Sequence, residues 1–136
     1  MSNGRKPSAQ AQDYRTGYLK SPTWFGRRDR WIETELGRVG QLLCAVCQGA
    51  VDRKKVELHH LSYEGVERTA DGWTAGEGHE DLVGVHARCH EWLHRLLDGD
   101  AALRRMSDRV LANRVAIARL RARLRRTVDE LLIGGV

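Results

Sequence analysis

The chain predicts a small α+β domain, and three observations lead there. Two short β-type runs, residues 56–61 and 81–85, are followed directly by a helical run over 87–97. Stretches with helical periodicity flank this trio on both sides. Aromatic residues make up 6% of the 136 positions against 30% charged, so the apolar core must be small. Small cores often rely on a metal staple.

The elements follow in order. Residues 1–17 are polar, lack apolar periodicity and read as a disordered leader. Ser21 and Pro22 then make a helix start, with serine as the cap and proline at the first helical position. Trp24, Trp31, Ile32 and Leu36 recur at helical spacing, which predicts a helix over 22–36 stopped by Gly37 and Gly40. Arg27, Arg28 and Arg30 give that helix a basic outer face. Residues 42–49 read as a knuckle presenting two thiols, and 56–61 alternates weakly enough for a short strand. Residues 64–80 carry Gly65, Gly72, Gly76 and Gly78 and read as a long loop without a core of its own. A second strand over 81–85 leads into a helix over 87–97, ended by Gly99.

The last third has another character. Leu103, Met106, Val110, Ile117, Leu120, Leu124 and Leu131 step by three and four, with Asn113 and Thr127 in the remaining seam positions. Between 101 and 131, nine arginines stand against three acids, a net +6 that exceeds the +5 of the whole chain. The result is a narrow apolar stripe on a basic rod. It either folds back on its own domain or forms a homodimer as a short coiled coil, in which Asn113 would set register.

Three cysteines cannot complete a disulfide framework, and no apolar stretch suits a signal segment or a membrane span. The expected compartment is therefore the reducing cytoplasm, where cysteine pairs more often bind metal. The positive charge favours a polyanionic partner.

Cys44 and Cys47 are spaced as C-x2-C, and His86 and Cys89 repeat that spacing. Four such ligands suit a closed tetrahedral zinc site. His59, His60, His90 and His94 are left as a second cluster that this zinc does not need. On the helix, Cys89 and His90 point about 100° apart, while His94 returns to the face of His90 four residues on. One helix thus offers one face to a structural zinc and another to a second site. His59 and His60 are strand neighbours and point to opposite faces, so both reach one site only near a strand end. In that case one would bind metal and the other would activate water, since a neutral imidazole accepts a proton near pH 7. His79, a loop histidine without a partner at ligand spacing, is set aside.

The ordered set YLKSPTW, C-x2-C, VELHHLSYEGVE and EDLVGVHARCHEWLH resembles the HNH endonuclease family, in its zinc-stabilised branch, over residues 18–95. The resemblance implies a ββα-metal core with a structural Zn²⁺, flanked by an N-terminal helix and a long C-terminal helix. It also implies hydrolysis of DNA phosphodiester bonds with a catalytic divalent ion, Mg²⁺ first and Mn²⁺ or Ni²⁺ as alternatives, leaving a 5′-phosphate and a 3′-hydroxyl. By position, His60 matches the general base, and His59 and His90 match the ligands of the catalytic ion. His94 matches a further histidine that binds metal or phosphate in some members. Asp81 stands where the family's central Asn does, as a loop brace before a ligand. Cys44, Cys47, His86 and Cys89 match the zinc ligands, with His86 in place of the more usual third cysteine. The implied division is a leader over 1–17, a nuclease domain over 18–98 and a basic helix over 99–136 that contacts DNA or a second copy. The competing reading is a zinc-containing DNA-binding protein without cleavage, or a subunit of a larger nucleic-acid machine.

Overall fold

A single 3-10 turn, Tyr18–Lys20, precedes helix α1 (Pro22–Val39) in the computed structural model, which describes residues 17–134. The expected leader lies outside the described residues except for Gly17. Ser21 Oγ accepts the Trp24 N–H at 3.2 Å and Pro22 opens the helix, where its missing N–H has no partner to lose. The helix runs through Gly37 and stops at Gly40, whose φ of +88° is a left-handed C-cap. Gly37 costs about 1 kcal/mol relative to alanine, too little to end a helix held by Trp31 and Ile32 in the core. The expected basic outer face is largely absent. Arg27 turns inward to the Glu77 carbonyl at 3.0 Å, and Arg28 reaches the Val56 carbonyl at 2.9 Å. These bonds satisfy backbone acceptors at the ends of short segments.

Among the described residues the four strands are β1 (Glu57–His60), β2 (Val66–Thr69), β3 (Gly72–Ala75) and β4 (Leu82–Val85). β1 pairs antiparallel with β4, Glu57 opposite Val85 and His60 opposite Leu82. Their connection, expected as a coreless loop, holds a second antiparallel pair, β2 with β3. Only Val66 of that pair is buried, and the alternation of β3 runs between exposed and half-buried positions over four residues, a weak signal for a sequence reading. Two glycines pinch its base. Gly76 N–H donates to the Gly65 carbonyl at 2.9 Å, and a Cβ on Gly65 would stand 2.3 Å from Gly76 O. Gly65 also holds φ at +91°, which a side chain rarely allows.

The knuckle precedes β1. Leu43 bridges to Ala50, Cys44 N–H donates to Gly49 O and Gln48 N–H to Cys44 O, both at 2.8 Å. Ala45 N–H donates to Gly84 O at 2.8 Å and fixes the knuckle to β4.

Helix α2 (Ala87–Gly99) leaves β4 directly, followed by the short α3 (Ala101–Arg105) and by α4 (Arg109–Gly134). Asp100 caps α3 through the Leu103 N–H and Asp108 caps α4 through the Leu111 N–H, each at 3.0 Å. These caps break what periodicity alone presents as one rod. Leu103, Ala112, Ala116, Ile117 and Leu120 are buried in the same core as Trp31, Leu58, Val85, Leu93 and Leu97. The seam therefore folds back on its own domain as far as Leu120. Beyond Leu124 it leaves the core, and Leu131, Leu132 and Ile133 are at least 70% exposed. Among the described residues, no helix is long and apolar enough to cross a membrane.

Candidate metal centres

Cys44, Cys47, His86 and Cys89 bring one ligand atom each within 4.8 Å of one another. The knuckle supplies two thiols, His86 stands at the N-cap of α2 and Cys89 sits in its first turn. The surroundings suit thiolate ligands. Burial works to raise the Cys44 pKa, but backbone N–H groups of Cys47, His86 and Val46 aim at the sulfur and bring it down to about 7. The Cys89 thiol is pushed up to about 12 by burial and by the sulfur of Cys44 beside it. So many sulfurs cannot all ionise together unless a cation neutralises them, which is the condition a zinc ion meets. His86 Nε2 lies 2.9 Å from the Ala50 carbonyl. That bond puts the ring proton on Nε2 and turns Nδ1 toward Cys47 Sγ, 3.3 Å away. An outer hydrogen bond of this kind is how a ligating imidazole is oriented.

The second cluster holds three of the four spare histidines. His59, from β1, meets His90 and His94, one turn apart on α2. His59 Nδ1 lies 3.1 Å from His90 Nε2, which lies 3.0 Å from His94 Nε2. The outward nitrogens are taken up elsewhere: His90 Nδ1 donates to Glu57 Oε1 at 2.8 Å and His59 Nε2 to Asn113 Oδ1 at 2.5 Å. The inward atoms of His59 and His90 are then lone pairs pointed at one another, an arrangement that needs a proton or a metal ion between them. The spacing suits a metal. With bonds of about 2.1 Å, neighbouring ligand nitrogens stand about 3.0–3.4 Å apart. Burial, followed by the neighbouring His90, His94 and His60, lowers His59 to about 3 against the opposing pull of Asn113. The ring is neutral at physiological pH and its lone pair is available.

His60 does not join this trio. It follows His59 on β1, and strand alternation sends it to the other face. There Nε2 donates to Glu77 Oε2 at 2.8 Å, and the Tyr18 hydroxyl donates to the same oxygen at 2.7 Å. The Glu77 side chain is fully buried and its Oε1 sits 4.0 Å from Arg27 Nε. Burial acts to raise the Glu77 carboxyl, but the bonds from His60 and Tyr18 outweigh it and hold the group below its ordinary value. Tyr63 stacks on His60 at 4.0 Å between ring centres, and Trp24 lies at 4.8 Å. His60 nevertheless lines a cleft of about 510 Å³ together with His59, His90, His94 and Asn113.

The remaining candidates have structural surroundings. Asp81 accepts the Gly78 N–H through its carboxylate at 3.0 Å and the Leu61 N–H through its carbonyl at 2.8 Å. It braces the entry to β4 and is not among the ligand atoms of either cluster. His79 packs flat on Trp31 and bonds Glu35 Oε1 at 2.8 Å, so it ties the loop to α1. Trp73 stands on β3 beside Tyr18, with Arg68 over its ring.

Four residues that sequence reasoning passed over as site residues support the two histidine groups: Glu57, Glu77, Tyr18 and Arg27. Glu77 left one trace, an acid set between two glycines. Asn113 was legible as a polar break in an apolar seam, but its partner was not.

The fold and the clusters define a small α+β domain with two ligand groups among the described residues, each able to hold a metal ion. One is a cysteine-rich group of three thiols and His86, and the other is a three-histidine group. No family model, curated protein or solved structure matches the chain.

Proposed function

We propose that the chain is a metal-dependent endonuclease of the HNH type that hydrolyses DNA phosphodiester bonds, one nick per site. The observation that carries this reading is the convergence of His59 Nδ1, His90 Nε2 and His94 Nε2 in a cleft that His60 also lines. In this reading β1, β4 and α2 form the ββα core. The cysteine-rich group holds a structural zinc that fixes the start of α2, and with it the direction of His90 and His94.

His59, His90 and His94 would hold the divalent ion. When bound, it supplies positive charge to the scissile phosphate and to the leaving oxygen. Three imidazoles are a nitrogen donor set, which ranks Ni²⁺ above the oxygen-seeking Mg²⁺ and Mn²⁺. His60 is the general base. The Glu77 carboxylate holds the proton on Nε2, which leaves Nδ1 to accept the proton of the attacking water. A base held by a third group is the arrangement that general-base catalysis requires. Asp81 acts as a brace. Arg109, Arg119 and Arg121 of α4 bond to Leu103, Asp100 and Ala45 within the chain. The exposed Arg114, Arg123, Arg125 and Arg126 therefore bind the phosphate backbone, with affinity that falls steeply with salt and carries little sequence information. A homodimer through the C-terminal helix would use Val128, Leu131, Leu132 and Ile133, since the earlier seam is already buried within the chain.

One observation favours the second reading, a zinc-containing DNA-binding protein without cleavage. The His60 side chain is only 3% exposed. Plasmid nicking in Ni²⁺, Mn²⁺, Mg²⁺ or chelator separates the two. Metal-dependent nicking that falls by about 10²–10⁴ in zinc-loaded His60→Ala supports the nuclease. Salt-sensitive DNA binding without nicking under any metal supports the alternative.

A further inference from the structure

Helix α4 lies outside the stretch that resembles a nuclease, yet it places one polar side chain in the histidine centre. Asn113 is 5% exposed, in an otherwise apolar stripe with Ala112, Ala116 and Ile117. Its Nδ2 donates to the Arg109 carbonyl at 2.8 Å and faces the Leu61 carbonyl at 3.5 Å. Two carbonyls around one end of the amide decide its orientation, so the other end, Oδ1, must face His59 Nε2. An oxygen there accepts only from an N–H. Asn113 therefore places the His59 proton on Nε2 and the lone pair on Nδ1, the atom directed at His90.

We propose that Asn113 is a positioning residue for the three-histidine centre, so that α4 docking and metal binding at His59, His90 and His94 form one linked equilibrium. The proposal rests on the metal-binding part of the reading above and not on cleavage. Because α4 carries the arginine-rich face, its grip on a polyanion and the occupancy of the centre are coupled through this amide. Linkage makes the effect mutual: metal favours the docked helix as strongly as the docked helix favours metal. A merely structural asparagine would stabilise the core without preferring either state.

The test is Ni²⁺ titration of zinc-loaded protein by calorimetry, with wild type, Asn113→Leu and Asn113→Asp. Leucine keeps the branched shape and removes both the acceptor for His59 and the donor to Arg109. Nickel affinity should fall by about 10–100-fold, the usual cost of losing an outer hydrogen bond to a ligating histidine. Aspartate, protonated on the oxygen that meets the Arg109 carbonyl, keeps a donor there and an acceptor for the His59 N–H, and should restore affinity to near the wild-type value. Wild-type affinity in the leucine variant overturns the proposal, as does an aspartate variant as weak as leucine. If Asn113→Leu does not fold, amide exchange of wild-type α4 with and without Ni²⁺ decides. Slower exchange along the helix with nickel is expected, and unchanged exchange overturns the coupling. Absence of nickel binding in wild type overturns the metal-centre reading itself, a result distinct from nickel binding that ignores Asn113.

Discussion

Helix α2 carries ligands for both clusters, Cys89 on one face and His90 with His94 on another, yet the two groups follow opposite plans. The cysteine-rich group is wrapped by backbone, with N–H donors on Cys44 and a carbonyl on His86. Four donors on one ion would close a tetrahedron and leave no position for a substrate. The three-histidine group is oriented by side chains, Asn113 and Glu57, and it lines a cleft. Three ligands leave positions open. Backbone support is tied to the fold and fails only with it. Side-chain support can be removed one residue at a time, so the centre can be disrupted while the fold survives.

The largest expected effect breaks this comparison at its root. Cys44→Ser should abolish the cooperative melt, because structural zinc contributes about 10–16 kcal/mol in small domains against a total stability of about 5–15 kcal/mol. His90→Ala should keep a cooperative melt while bound metal falls from about two ions per chain to about one. Thermal melts with elemental analysis check both. Equal unfolding by the two variants would make the three-histidine group a second staple.

Gly65→Ala comes next. The added Cβ meets backbone at 2.3 Å and at a φ of +91°, so a loss of about 2–4 kcal/mol is expected in urea unfolding. Zinc content should survive, because the pinched hairpin supports Glu77 and His60 and not the knuckle. Loss of zinc together with stability would show that the two regions are less separate than their contacts indicate.

Two smaller effects sharpen the picture. Gln48 holds φ at +65° in the knuckle, a conformation that costs a side chain about 1–2 kcal/mol. Gln48→Gly should recover up to about 1 kcal/mol once the freer unfolded chain is counted, seen as a Tm a few degrees higher. An unchanged Tm would mean that the knuckle already relaxes that strain. Last, burial opposes ionisation of Glu35, but bonds from His79 and Arg38 prevail and lower its pKa. A depressed carboxylate stabilises the fold above its unfolded pKa and loses that contribution as pH falls through the folded value. Glu35→Gln should therefore narrow the stability difference between neutral and acid pH. Parallel Tm curves for wild type and variant between pH 6 and pH 3 would refute that linkage.

Much of this architecture could be read from local pattern. Ser21-Pro22 set the start of α1, and the doubled x2 spacing marked the cysteine-rich group. The one-turn interval from His90 to His94 put those two rings together. The inserted hairpin escaped because its four-residue strands are mostly exposed and only β3 alternates, between exposed and half-buried positions. Gly37 misled because a glycine ends a helix only where the chain needs a positive φ, and that need arises at Gly40. The arginines of α1 misled in another way, since a long side chain that looks solvated in sequence can turn inward to a carbonyl.

Ligand spacing, caps and helix faces are geometry of a few residues, so the chain alone sorted its cysteines from its histidines and predicted an α+β order. The partners that set each imidazole lie far off, Asn113 54 residues from His59 and Glu77 17 from His60. No local period encodes such a pairing. Packing decided it, by burying the seam of α4 against β1 and α2, where a polar residue must find the one acceptor or donor within reach.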